Sequence, residues 1–188
     1  MAVTDTLEAQ MARRGLEMLG ACHKLSDQHE LLLVSALLRD FTAAEADQLG
    51  STMLKIRARP GQLLIAEGES SDWMMLLLTG TVDVGKRRIG ADPESQDPHD
   101  VTRLAVLKEG AVIGEMSMLD GEPRYASCWA LSEVEAAVLS RGAVTQLINL
   151  QPAVGAKLLV KLTQLLAQRL RNTSSQLVKV LTKQDAAT

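Results

Sequence analysis

The chain has 188 residues, 46% hydrophobic and 23% charged, with a net charge of −3. That is enough chain for one domain with a proper core plus flanking helix, and the charge balance argues against a bulk polyanion binder while allowing a local basic patch. No apolar run approaches the ~20 residues of a membrane-spanning helix, and Asp5, Glu8, Arg13 and Arg14 break the basic-then-apolar order of a secretory signal.

Aromatic residues are scarce, so Leu, Val, Ile, Met and Ala must build the core. Cys22 and Cys128 are far apart and form no CxxC, which reads as two free core thiols in a reducing, cytoplasmic compartment.

Residues 4–50 predict helices, the first 36 forming an N-terminal helical extension. Leu7, Met11, Leu16, Met18 and Leu19 supply a ragged apolar face for the first helix. Ser26 offers an N-cap, with Asp27 in the first turn ahead of the apolar run 31–38. Thr42-Ala-Ala-Glu45 is a capping-box pattern that starts a third short helix ending near Gly50.

From about 52 to 141 the pattern changes. Turn signals at Pro60-Gly61, Gly68, Gly80, Gly85, Gly90, Gly110, Gly114 and Gly121 separate short apolar runs. The runs 74–84, 103–107 and 134–140 read as strands, and this spacing suggests an all-β barrel, roll or sandwich. The polar segment 87–100, with two prolines, reads as a surface loop.

From Pro152, which suits a first helical turn, to Lys183 the chain is helical again. Leu159, Leu162, Leu166, Leu170, Thr173, Leu177 and Val180 recur at threes and fours, a seam fit to pair with another helix or to pack on the β domain. Lys157, Lys161, Arg169, Arg171, Lys179 and Lys183 read as a solvated basic face.

The stretch 112–127, VIGEMSMLDGEPRYAS, carries the chemistry. Gly114 lets a ligand approach the main chain closely. A short helix after it would present unpartnered N–H groups to an anion. Arg124 supplies a planar, permanently charged fork for phosphate oxygens. Glu115, an acceptor only, suits a ribose hydroxyl. Together they suit a nucleotide held by its sugar and phosphate; the alternative is an internal Glu115–Arg124 salt bridge.

This stretch resembles the phosphate-binding cassette of the cyclic nucleotide-binding domain family: Gly114-Glu115-Met116-Ser117-Met118-Leu119, a spacer, then Arg124-Tyr125-Ala126-Ser127. Upstream, residues 65–84 are similar to the family's strand–Gly–turn–strand–Gly run, with Gly68 and Gly80 in place. The resemblance implies a β-roll of the catabolite-activator type over residues 37–151, with its cassette at 110–128, N-terminal helices before it, and a long C-terminal helix over 152–183.

The resemblance also implies roles. Glu115 would bind the ribose 2′-hydroxyl and Arg124 the cyclic phosphate. Backbone N–H groups near Met116, Ser117 and Tyr125 would complete the cradle, Ser127 would add a hydroxyl, and Val84 and Leu104 would wall the sugar and base. Tyr125 stands where the family usually has Ala, Ser or Thr. Its phenol could bind phosphate, stack on a base or fill the pocket. Without Thr or Ser there, cAMP is favoured over cGMP, with a cyclic dinucleotide left open.

The tail after Arg171 is too short for a helix-turn-helix. The expectation is therefore a stand-alone sensor, a non-enzyme without cofactor, signalling to a protein partner and dimerising through its C-terminal helix. A degenerate, ligand-free interaction module is the alternative. His23, His29 and His99 are badly placed for a metal-dependent cupin-like site. The basic helix lacks the aromatic platforms that single-stranded nucleic acid would need.

Overall fold

The strand Trp73–Thr79 is buried on both faces, which explains why its sequence is continuously apolar rather than alternating. Met74, Leu76 and Leu78 face a core shared with the helices, while Trp73, Met75 and Leu77 face a second core between two sheets. The architecture is built around it. The structure is a computed structural model that describes residues 6–88, Gly90 and residues 100–185; most of the segment read as a surface loop, His99 included, lies outside them.

In chain order the elements are α1 (Leu7–Arg13), β1 (Glu17–Ala21), a 3-10 turn (Leu25–Asp27), α2 (His29–Val34), α3 (Ala43–Ser51), β2 (Leu54–Ala58), β3 (Leu63–Ile65), β4 (Trp73–Thr79) and β5 (Thr81–Arg87). Then follow β6 (Val101–Lys108), β7 (Val112–Ile113), α4 (Glu115–Asp120), β8 (Ser127–Ala130), β9 (Val134–Ser140), α5 (Arg141–Leu150) and α6 (Pro152–Asp185). Two antiparallel sheets, ordered β1-β2-β9-β4-β7 and β3-β8-β5-β6, face each other as a β-roll with helices at both ends of the chain. β4 and β9 form the central pair, with Met75 opposite Val138.

The N-terminal region differs from its expected all-helical form. The first helix ends at Arg13, because Gly15 adopts a left-handed conformation that stops it. Leu16 then drops into the inter-sheet core, and residues 17–21 pair with β2 as an edge strand. Met18 is therefore exposed rather than part of a helical face.

Ser26 is not an N-cap. It lies within the 3-10 turn, and its backbone N–H and hydroxyl both donate to Asp47 of α3. The Thr42–Glu45 capping box is present at the head of α3, with each side chain meeting the other's backbone.

Ser140 caps α5, a helix with no counterpart in the sequence reading, by accepting from the Ala143 N–H at 3.1 Å. α6 begins at Pro152 and its 34 residues reach about 50 Å. Val154, Leu158 and Leu162 bury its first half on the core. Leu159, expected in the seam, is turned partly outward instead. Beyond Arg169, the apolar residues Leu170, Leu177, Val178, Val180 and Leu181 are exposed. No described helix is long and apolar enough to cross a membrane.

Candidate functional site

The cassette folds as its composition requires. β7 ends at Ile113, Gly114 turns the chain with φ +76°, and α4 starts at Glu115. A Cβ at position 114 would lie 2.4 Å from Nη1 of Arg124, so the backbone and the guanidinium meet only because this residue is glycine. The N–H groups opening α4 have no carbonyl earlier in the helix to pair with.

Arg124 is almost completely buried. Its Nε donates to Ser71 Oγ at 2.6 Å, Nη1 to the Gly114 carbonyl and Nη2 to the Trp73 carbonyl. Its guanidinium carbon sits 4.3 Å from the centre of the Trp73 ring. Among the described residues no carboxylate lies within ion-pair distance of it. Burial pulls its pKa down to about 10, outweighing the opposing influence of Glu69 and Glu115, neither of which is close enough to form an ion pair with it.

Glu115 is also buried, and it does not pair with Arg124. Its partner is Arg169 of α6, whose Nη1 meets Oε1 while Nη2 donates to the Val112 carbonyl at 2.6 Å. Arg169 thus does not belong wholly to the solvated face assigned to its helix: its head group is turned inward. Nothing in the local sequence marks it, since it sits among leucines 54 residues after the glutamate.

One cavity gathers most of the expected residues. Gly114, Glu115, Met116, Ser117, Arg124, Tyr125, Val84 and Leu104 all line it. Ile65, Leu107, Ile113, Ala126, Cys128 and Arg169 line it too, and the sequence reading had not singled these out as site residues. Most are the inward side of strands, a position that period-two alternation signals without telling core from cavity.

Ser127 does not line the cavity. Its hydroxyl accepts the Glu67 backbone N–H at 2.9 Å and so secures the turn after β3. Tyr125 does not fill the pocket either. It is 58% exposed at the rim, with Lys86 Nζ 3.9 Å from its ring centre and 2.7 Å from its carbonyl oxygen. Burial pushes the Cys128 thiol up to about 12, which keeps it protonated and unreactive at the cavity floor.

The arrangement is a β-roll in which a buried arginine, unpaired among the described residues, and a buried carboxylate both line one mostly apolar cavity. The sequence model for the "Cyclic nucleotide-binding domain" matches residues 55–151, just over half of the chain. The chain belongs to the cyclic nucleotide-binding domain family.

It is similar to a solved cyclic nucleotide-binding domain from Methylobacillus flagellatus, at 36% identity and a TM-score of 0.75, over 89% of this chain and 90% of the other. It is also similar to the catabolite activator protein of Thermus thermophilus, at 27% identity and a TM-score of 0.67, over 78% and 63% of the two chains. A CRP-like cAMP-activated global transcriptional regulator from Mycobacterium tuberculosis is 29% identical over 64% of this chain and 49% of its own length. The chain therefore spans about half the length of that curated relative.

Proposed function

We propose that the protein is a cyclic nucleotide sensor, a binding protein rather than an enzyme, with cAMP favoured over cGMP as its ligand. The observation that carries this reading is Arg124: a buried guanidinium with no carboxylate partner among the described residues, lining a cavity. Burying an uncompensated charge costs several kcal/mol, roughly, and a bound anion offsets that cost. Three of its donors hold it in place; an arginine has five, so two remain for phosphate oxygens. The N–H groups at the head of α4 add partial positive charge on the same side.

Glu115 is the sugar-binding group in this reading. Oε1 is taken by Arg169, and a carboxylate has lone pairs to spare for a ribose 2′-hydroxyl. Val84 and Leu104 supply the apolar wall, and Tyr125 at the rim offers its face to the base. The relative named as cAMP-activated supports cAMP as the first ligand to try.

Signal transmission follows from Arg169. Because α6 itself contributes the partner of Glu115, a ligand bonded to that carboxylate acts on the helix directly. It shifts the helix only by its different affinity for the two arrangements. The exposed apolar residues beyond Arg169 support a homodimer through α6, since an isolated helical half of that length is marginal in water. A protein partner then reads the helix position, in a reducing cytoplasm where Cys22 and Cys128 stay free.

Titration calorimetry with cAMP, cGMP and cyclic di-GMP, on the wild type and on Arg124→Ala, tests the reading. Saturable binding by the wild type, lost in the variant, is the expected result. Silence from all three ligands would leave a ligand-free interaction module in its place.

A further inference from the structure

The buried arginine is held from behind by the segment that precedes the β-roll. Trp73, fully buried, lies under the Arg124 guanidinium. Its indole N–H donates to Oε1 of Gln10, in α1, at 2.8 Å. The guanidinium carbon of Arg14, just past the end of α1, lies 5.1 Å from the same ring centre. Arg14 also donates to the Gln10 carbonyl at 2.7 Å and forms an ion pair with Glu69.

Glu69 closes the circuit. Its carbonyl accepts the Arg124 backbone N–H at 2.9 Å, and the neighbouring Gly68 N–H donates to the Arg124 carbonyl at 2.8 Å. Residues 10–14 therefore fix both the aromatic surface on which Arg124 rests and, through Glu69, the turn segment that fixes its backbone, the strap. Arg14 in addition places a second positive charge near Arg124, close enough to help lower its pKa.

We infer that Gln10, Arg14 and Trp73 are positioning residues for anion binding at Arg124, so that the N-terminal helix is a working part of the ligand site. This rests on the reading of the cavity as a cyclic nucleotide site. None of the three side chains lines the cavity; they act through Arg124. An indole face attracts a desolvated guanidinium and sets its plane. The Gln10 bond sets the indole, and the Arg14–Glu69 pair sets the strap. A phosphate would then meet a fork whose direction is decided by α1.

The test uses the full-length chain with cAMP as the probe. Arg14→Gln and Gln10→Ala are compared with wild type and with Arg124→Ala by calorimetry, and Arg14→Lys restores the charge. In a Trp129→Phe background, Trp73 is the sole indole, and its emission is followed during the same titration.

The expected result is cAMP affinity about tenfold weaker in Arg14→Gln and several-fold weaker in Gln10→Ala, with most of the loss recovered in Arg14→Lys. Trp73 emission should change on binding, with a midpoint at the calorimetric Kd. A purely structural role for these side chains would move neither the charge rescue nor the emission.

Wild-type binding that Arg124→Ala abolishes, but Arg14→Gln and Gln10→Ala leave intact, would overturn this inference and keep the sensor. Absence of any wild-type binding would overturn the sensor reading, and this inference with it.

Discussion

Glu115 forms its ion pair with Arg169, 54 residues further on, and not with Arg124 in its own cassette. The acid and the base of one short motif are kept apart, each serving a different part of the cavity. That separation leaves the cassette arginine without an ion-paired carboxylate among the described residues and ties the cassette glutamate to the long helix.

The first prediction concerns that pair. Arg169→Ala leaves a buried carboxylate unpaired. Breaking a fully buried pair costs ~3–5 kcal/mol, but the Arg169 side chain is 41% exposed, so about 1–2 kcal/mol is expected. Glu115→Gln with Arg169→Ala should cost less than the sum of the single changes, measured as a double-mutant cycle in urea. Additive costs would mean that the pair carries no coupling.

Gly114→Ala should weaken cAMP binding about tenfold or more, since the new methyl forces Arg124 off the Gly114 carbonyl and the residue out of its φ of +76°. Gly121→Ala is the control. It has the same backbone strain, φ +82°, but its Cβ would meet only Arg141 at 3.5 Å. It should lose about 1 kcal/mol of stability and keep its affinity.

Acid should loosen the helical end of the molecule. Lys157 of α6 donates to both oxygens of Glu45 in α3 at 2.6 Å. That bond, with help from Thr42, brings the Glu45 pKa down to about 2 from an ordinary 4.5. A carboxylate with a depressed folded pKa contributes stability that is full above about pH 4.5 and is lost as pH falls toward 2. The urea midpoint should therefore fall between pH 5 and pH 3, and fall less in Lys157→Met. Equal falls in the two proteins would remove the bond from the account.

On the proposed pairing of α6 with a second copy, Leu170→Glu with Leu177→Glu should convert a dimer to a monomer in sedimentation velocity and lower helix content by circular dichroism, because both leucines are exposed on the far half of the helix. A wild type that sediments as a monomer at all accessible concentrations would contradict the helix pairing.

Much of this was legible in the residues, for reasons that differ from place to place. The cassette was readable because its chemistry is local: glycine, acid and arginine within eleven residues, each constrained by backbone geometry. The capping box at Thr42 was readable for the same reason. β1 was not, because strand pairing with β2 is a long-range choice, and residues 16–19 are apolar enough to extend a helix.

Arg169 and Trp73 were out of reach as site residues because nothing near either of them in the chain announces its role. One is a basic residue on a helix rich in them, the other an aromatic in an apolar strand. Only the fold brings both to the two arms of the cassette. Ser127 fails in the opposite way: it stands in the motif, but its hydroxyl faces the turn at Glu67.

The pairing of β1 with β2 also decides how this protein can be handled. β2 has β9 on one side and β1 on the other. A fragment trimmed to the family-matching residues 55–151 would lose β1, making β2 the open edge of its sheet, and would uncover the core surface under Met11 and Leu16. Such an edge is a template for intermolecular strand addition. The trimmed domain should aggregate more readily than the full chain, because it moves the sheet edge from β1 to β2 and bares the apolar surface that Met11 and Leu16 cover.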